Sequence, residues 1–305
     1  MSPRRTATHV PLTAVLLIVC SVAFFSATEM VVKLLTQRYS TGLLLWGRFA
    51  GQALIIALLL APTMRFRLVA TQRLHIQLSR SIALIVASAL YYQALRTLPL
   101  ADATAIIYTA PVLVILLSIA FLNERMTRPR LAFVVSGFLG MLLIIRPGMS
   151  ILQGAAFLVL LSALLYSAFQ VWTRSLQGDD PRVTLFYPAL LGAIVTTPFV
   201  LVTEQTIAMP WRDVGLLFLV GALGTTGHFM FIRAFRSAPA SALTPFTYSQ
   251  LVWATMFGLV AFGQFPDGFA LAGIALIAGS GVLLAWHERR SAQGALALRE
   301  PIAVE

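Results

Sequence analysis

Cysteine occurs once in this chain, at Cys20. A single thiol excludes an intramolecular disulfide framework and a Cys-rich metal site. Val19, just before it, is too bulky for a lipoprotein cleavage site, so Cys20 reads as a buried thiol in an apolar helix. Charge is scarce too, at 11% of residues, against about 25% in soluble domains. Of eleven acidic residues, only Glu29 lies well inside an apolar run. His228 is the one histidine in such a run, and no second His, Cys or acid stands at ligand spacing from it, which argues against a metal site. The lack of HExxH and of paired Asp-rich motifs argues against an integral-membrane enzyme. The lack of a GxxxxGK[ST] loop argues against a nucleotide-driven pump. No connection could hold the soluble domain that a receptor normally carries, and no run alternates as barrel strands do.

What is present is apolar: 59% of the residues are hydrophobic. Ten runs are long enough to be read as membrane-crossing helices. They lie near Val10–Leu35, Gly42–Ala61, Ser81–Leu95, Ala101–Leu122, Leu131–Ile145, Gly154–Trp172, Val183–Val202, Val214–Ile232, Ala240–Phe262 and Gly268–Trp286. The short connections hold most of the charge and many of the prolines, which end helices cheaply there. The first run follows Arg4 and Arg5 but lacks a small-x-small cleavage site with a soluble domain behind it, so it is not read as a signal peptide. The tail after Glu288 reads as loose.

The two halves are copies of each other. Ala94-Leu95-Arg96-Thr97-Leu98-Pro99 aligns with Ala234-Phe235-Arg236-Ser237-Ala238-Pro239. Without a gap, Thr104 then meets Thr244 and Tyr108 meets Tyr248. One residue out of phase, Ser21, Phe25, Ser26, Ala27, Glu29 and Lys33 meet Ser162, Tyr166, Ser167, Ala168, Gln170 and Arg174. Internal duplication in an apolar chain is how many secondary transporters are built. It points to a protein that moves something rather than transforms it.

The net charge of +11 is not a nucleic-acid signal, because its placement follows the excess of Lys and Arg in cytoplasmic loops. With the N-terminus inside, sixteen basic residues fall on the inner side and five on the outer, with Arg48 within a run. Both termini are therefore expected in the cytoplasm. An odd number of spans per repeat inserts the second copy upside down, which makes inward-open and outward-open states nearly equivalent. Residues 65–80 interleave Phe66, Leu68, Val69, Leu74 and Ile76 with Arg65, Arg67, Arg73 and Arg80, and are expected to lie on the inner leaflet with the arginines toward anionic head groups.

The segments ALRTLPLADATAIIYTAPVLVILLS, NERMTRPRLAFVVSGFLGMLLIIRPG and RAFRSAPASALTPFTYSQLVWATMFGLVAFGQFPDGFALAGIALIAGSGVLL resemble the EamA-type drug/metabolite transporter superfamily, from about Leu12 to Trp286. The resemblance implies an all-α integral membrane protein of ten transmembrane helices. They form two inverted five-helix repeats over residues 10–146 and 154–286, with a cytoplasmic tail over 287–305. It implies a central cavity between the repeats and carriage of small metabolites without ATP hydrolysis, in the inner membrane. Family members export amino acids or amino-acid-derived metallophores, or move riboflavin, nucleotide-like compounds or quaternary amines. The expected function is export of a small amphipathic or zwitterionic metabolite. An importer of a vitamin or nucleotide-like compound and, in another class, a membrane enzyme are the alternatives. The expected partners are the small-molecule cargo, membrane lipids and protons as a candidate coupling ion. No cofactor, metal or nucleic acid is expected.

Ionisable residues inside spans are expensive and therefore functional candidates. Glu29 has Lys33 one turn along the same face. Arg48 stands at a similar depth, roughly 10 Å, on the next helix at 1.5 Å per residue. Three readings stay open for Glu29: a salt bridge with Arg48, a proton-coupling carboxylate, or a contact for a cationic cargo group. The cavity candidates are Tyr92, Tyr108, Gln170, His228, Tyr248, Gln250 and Trp253. Tyr108 and Tyr248 are expected to face a shared space with at least one of Tyr92, His228 and Trp253, and interhelical packing is the competing reading for each. Gln250 and Tyr248 point to different faces unless the helix breaks, which Pro245 would favour. Gly47 and Gly51, Gly221, Gly224 and Gly227, Gly137 and Gly140, and Gly279 and Gly281 read as close helix contacts.

Overall fold

A computed structural model describes residues 11–122, 127–145, 153–176, 178–203, 209–237, 243 and 246–297. Every long element among them is helical: α1 Leu12–Thr36, α2 Thr41–Met64, α3 Leu74–Ala94, α4 Leu100–Ile107, α5 Ala110–Leu122, α6 Arg128–Ile145, α7 Gln153–Arg174, α8 Pro181–Thr203, α9 Trp211–Ser237, α10 Ser249–Phe262 and α11 Gly268–Ala297. A 3-10 turn, Arg65–Val69, follows α2. Local chemistry sets several of the ends. The Ser40 hydroxyl accepts from the Leu43 amide at 3.1 Å, and Asp267 accepts from the Ala270 amide at 2.9 Å, each satisfying an amide with no helical partner. Gly263, at φ 64°, ends α10 in the left-handed conformation that a glycine adopts without strain.

Among the described residues, eight stretches are long and apolar enough to cross a membrane; the fourth, Leu100–Leu117, runs through the junction of α4 and α5. Leu131–Ile145 and Ser249–Phe262 are apolar but shorter. That junction was not expected. Pro111 has no N–H to offer the carbonyl of Ile107, so the helix turns tightly instead. The Thr109 amide and hydroxyl both donate to Ile106 O, at 3.0 and 2.7 Å.

Three other expectations are corrected. Cys20 is exposed rather than buried. Residues 74–80 belong to α3, and Arg80 is 2% exposed, donating to Thr173, Gln77 and the Thr184 carbonyl instead of facing lipid. The chain stays helical to Ala297 instead of loosening after Glu288; the remaining tail, and Arg4 and Arg5, lie outside the described residues.

Packing exchanges between the halves. α1 packs on α9 as α7 packs on α3; α1 meets α10 as α7 meets α5; α2 meets α9 as α8 meets α3; and α2·α8 and α6·α11 pair across. Hydrogen bonds follow the same exchange. Ser21 donates to Gly227 O at 2.9 Å and Ser162 to Ala87 O at 2.8 Å. Ser26 donates to Gln250 O at 3.4 Å and Ser167 to Ala110 O at 3.0 Å. Close helix approach supports this. A Cβ on Gly221 would stand 2.9 Å from Gly51 Cα, and one on Gly140 would stand 2.9 Å from Gly273 O. Gly281 is the seat of the Tyr248 ring, whereas Gly224 and Gly279 border open space.

Candidate functional site

The junction after α4 meets the start of α10. Tyr108 closes α4 and Tyr248 precedes α10, and their rings lie 5.2 Å apart at 42°. The Tyr108 hydroxyl faces two acceptors, Thr247 O at 2.7 Å and Gln250 Oε1 at 3.0 Å. Backbone carbonyls at a helix interruption need such partners where water is excluded. The Gln250 amide continues the chain, its Nε2 donating to Glu29 Oε1 at 3.2 Å. Thr104 Oγ1 donates to Glu29 Oε2 at 3.3 Å, stands 2.8 Å from Leu100 O, and lies 3.4 Å from the Tyr91 hydroxyl. Side chains from α1, α3, α4 and the start of α10 thus form one network across both halves.

The expected pair of Glu29 with Arg48 is not made. Arg48 Nη1 donates to Ser88 Oγ and Tyr92 Oη, each at 3.2 Å. The two charges remain within electrostatic reach of each other. The physical reason is competition: neutral partners from α3, α4 and α10 engage both groups without bringing them together. Lys33 is not Glu29's partner either. It is 4% exposed and donates to Leu95 O at 2.9 Å and to Leu98 O, so it satisfies the carbonyls that end α3.

The other candidates divide. Gln250, 8% exposed, is inside the network, and Tyr92, 1% exposed, belongs to the Arg48 cluster. His228 is half-buried; its Nδ1 lies 2.8 Å from the Gly224 carbonyl of its own helix, a bond that puts the proton on Nδ1. Its ring meets Phe25 edge-on at 4.8 Å, and Arg48 is within electrostatic reach. Trp253 stacks on Phe257 at 6.0 Å and is not part of the network. Gln170, the repeat mate of Glu29, is half-buried with no hydrogen bond among the described residues. Tyr248 packs on Gly281. Gln250 reaches Glu29 from the first turn of α10; Pro245 lies outside the described residues. Sequence reasoning did not single out Thr104, Ser88 and Thr247 as site residues. A signal existed for two of them, since Thr104 stood out in the repeat alignment and Ser88 is the mate of His228.

Polar contacts also tie the helices together at both ends of the bundle. At one end Asp179 accepts from Thr71 and from Gln77, the latter at 3.0 Å, Arg73 donates to Ser175 O at 2.8 Å, and Arg80 lies over the Phe169 ring at 4.5 Å. At the other, Asp213 accepts from Tyr39 at 2.6 Å and from Arg38 at 3.4 Å. The hydrogen bond to that carboxylate raises the pKa of the Tyr39 phenol and keeps it a donor. A pocket lined by Thr63, Met64, Arg67, Ala70, Asp180, Arg182 and Val183 lies at the first end, away from Glu29.

The sequence model of the EamA-like transporter family matches the chain twice, over residues 12–146 and 153–286. The chain is 24% identical over 185 residues to the S-adenosylmethionine uptake transporter of Rickettsia conorii, covering 60% of this chain and 62% of that protein. It is 30% identical over 193 residues to a riboflavin transporter of Rhizobium johnstonii, covering 61% and 62%. The matched segment thus spans about three fifths of the length of these relatives. A solved crystal structure with 18% identity shares the fold, with a TM-score of 0.62 over 92% of this chain and 96% of that one.

Proposed function

This chain belongs to the EamA-like transporter family and is a multi-pass membrane protein, and we propose that it carries a small zwitterionic or amphipathic metabolite by alternating access at a site between its halves. The observation that carries this reading is the Tyr108–Gln250–Glu29 chain of hydrogen bonds. It ties the junction after α4 and the start of α10, which are repeat-related, to the one carboxylate well inside a span. Irregular backbone at membrane depth is tolerated where it lines a cavity, and broken helices build the sites of many carriers.

The proposed layout is ten spans in two inverted repeats, over 10–146 and 154–286, in an inner membrane with both termini cytoplasmic. The reciprocal Ser21–Gly227 and Ser162–Ala87 bonds support a twofold relation, and the basic bias supports the orientation. Protons are the proposed coupling ion, through Glu29. The charge content of the site favours an amino-acid-like cargo with an aromatic or apolar body. Export is the direction favoured by the sequence reading; the Rickettsia relative is named for uptake, which favours inward movement, and a transport assay decides between them. The test is transport of labelled S-adenosylmethionine and riboflavin by proteoliposomes of the purified chain, with imposed pH gradients of either sign. Saturable movement of one compound, above that of protein-free vesicles, is expected. Movement of neither would overturn the reading of the cargo.

A further inference from the structure

Arg48 stands about 10 Å into the bundle by helix rise, and its guanidinium is only half used. Nη1 makes both of its hydrogen bonds, to Ser88 and Tyr92, one turn apart on α3. Nε and Nη2 make none among the described residues and remain accessible. Among the described residues no carboxylate lies within ion-pair distance, and the nearby aromatic rings, Phe49 and Tyr92, are 5.4 and 5.7 Å from Cζ. A charge at such depth is held by partners or serves a ligand. Here the α3 acceptors hold one edge and fix the plane. The opposite edge offers two parallel N–H groups, the geometry that a carboxylate accepts bidentately.

We propose that Arg48 seats an anionic group of the cargo, the carboxylate of an amino-acid-like zwitterion, with Ser88 and Tyr92 as its positioning residues. Glu29 within electrostatic reach disfavours a doubly charged phosphate there and favours a cargo that brings a cation along with its anion. This rests on the transport reading above and narrows its substrate class.

The test is equilibrium binding of S-adenosylmethionine and its decarboxylated form, which differ only in the carboxylate, to the purified full-length chain. The wild-type chain is expected to prefer the carboxylate form by about tenfold or more, as for a hydrogen bond to a charged group. Arg48→Gln should abolish that preference by weakening the carboxylate form alone. Ser88→Ala and Tyr92→Phe should each reduce it about two- to tenfold, and they carry the test if Arg48→Gln does not fold. A preference that persists in Arg48→Gln, or that is undiminished in both milder variants, overturns the proposal. Wild-type binding without preference, or transport of riboflavin alone, overturns it and leaves the transporter reading standing. Neither binding nor transport of any of the three compounds overturns both the proposal and the reading of the cargo.

Discussion

Glu29 can hold or release a proton, and its neighbours accommodate both states. Ionised, it accepts from Gln250 and Thr104. Protonated, it can donate to Thr104, whose single hydrogen then serves Leu100 O. Glu29→Gln mimics the second state, so it is expected to fold with a stability change within about 1 kcal/mol and to transport without pH dependence. An unaltered pH profile in vesicle uptake would remove Glu29 as the coupling group. Exchanging Glu29 and Arg48 is not expected to rescue folding, because their bonds go to other residues; rescue would restore the salt-bridge reading. Tyr108→Phe removes the one hydrogen that Thr247 O and Gln250 Oε1 share and should cost about 1–3 kcal/mol in thermal melts, whereas a merely packing tyrosine would cost less. The sequence singled out Glu29, Arg48, Tyr108 and Gln250 by charge, depth and repeat register. It could not supply their pairing, because partner choice depends on α3, α4 and α10 converging, which no spacing along one helix reveals.

At the scale of elements, close contacts and latches matter more than apolar character. α2 and α9 touch backbone to backbone at Gly51 and Gly221. Gly221→Ala is therefore expected to lower stability by about 1–3 kcal/mol through overpacking, while the same change at Gly224, where a Cβ meets nothing within 4 Å, should be nearly silent; melting curves in detergent check both. Glycine spacing showed that close contacts exist but not which partner each glycine meets. Arg80 is a second case. Its apolar neighbours and end position read as a lipid-facing anchor, yet it holds α3 to α7 and α8. Removing it strands the acceptors of Gln77, Thr173 and Thr184, and Arg80→Ala should cost about 2–4 kcal/mol. The break after α4 was legible in principle at Pro111, but the apolar run masks it.

The whole molecule pairs a symmetric frame with an asymmetric site. Ser21, Ser162, Ser26 and Ser167 make reciprocal bonds, while Glu29 faces Gln170 and His228 faces Ser88 in the alignment. Duplication was readable because it leaves a register in the sequence; the specialised chemistry does not repeat and leaves none. The proposed topology predicts an external signal from a reporter fused after Arg38 and a cytoplasmic one after Arg299; the reverse of either would defeat the inverted arrangement. The central claim, that cargo crosses at the network joining the halves, is tested most directly by counterflow. Proteoliposomes preloaded with unlabelled S-adenosylmethionine or riboflavin are given the same labelled compound outside, with wild-type chain or a folded Gln250→Leu variant. Transient gain of label with the wild type and its loss in the variant is the predicted result. No gain with the wild type, or equal gain in the variant, would contradict the account.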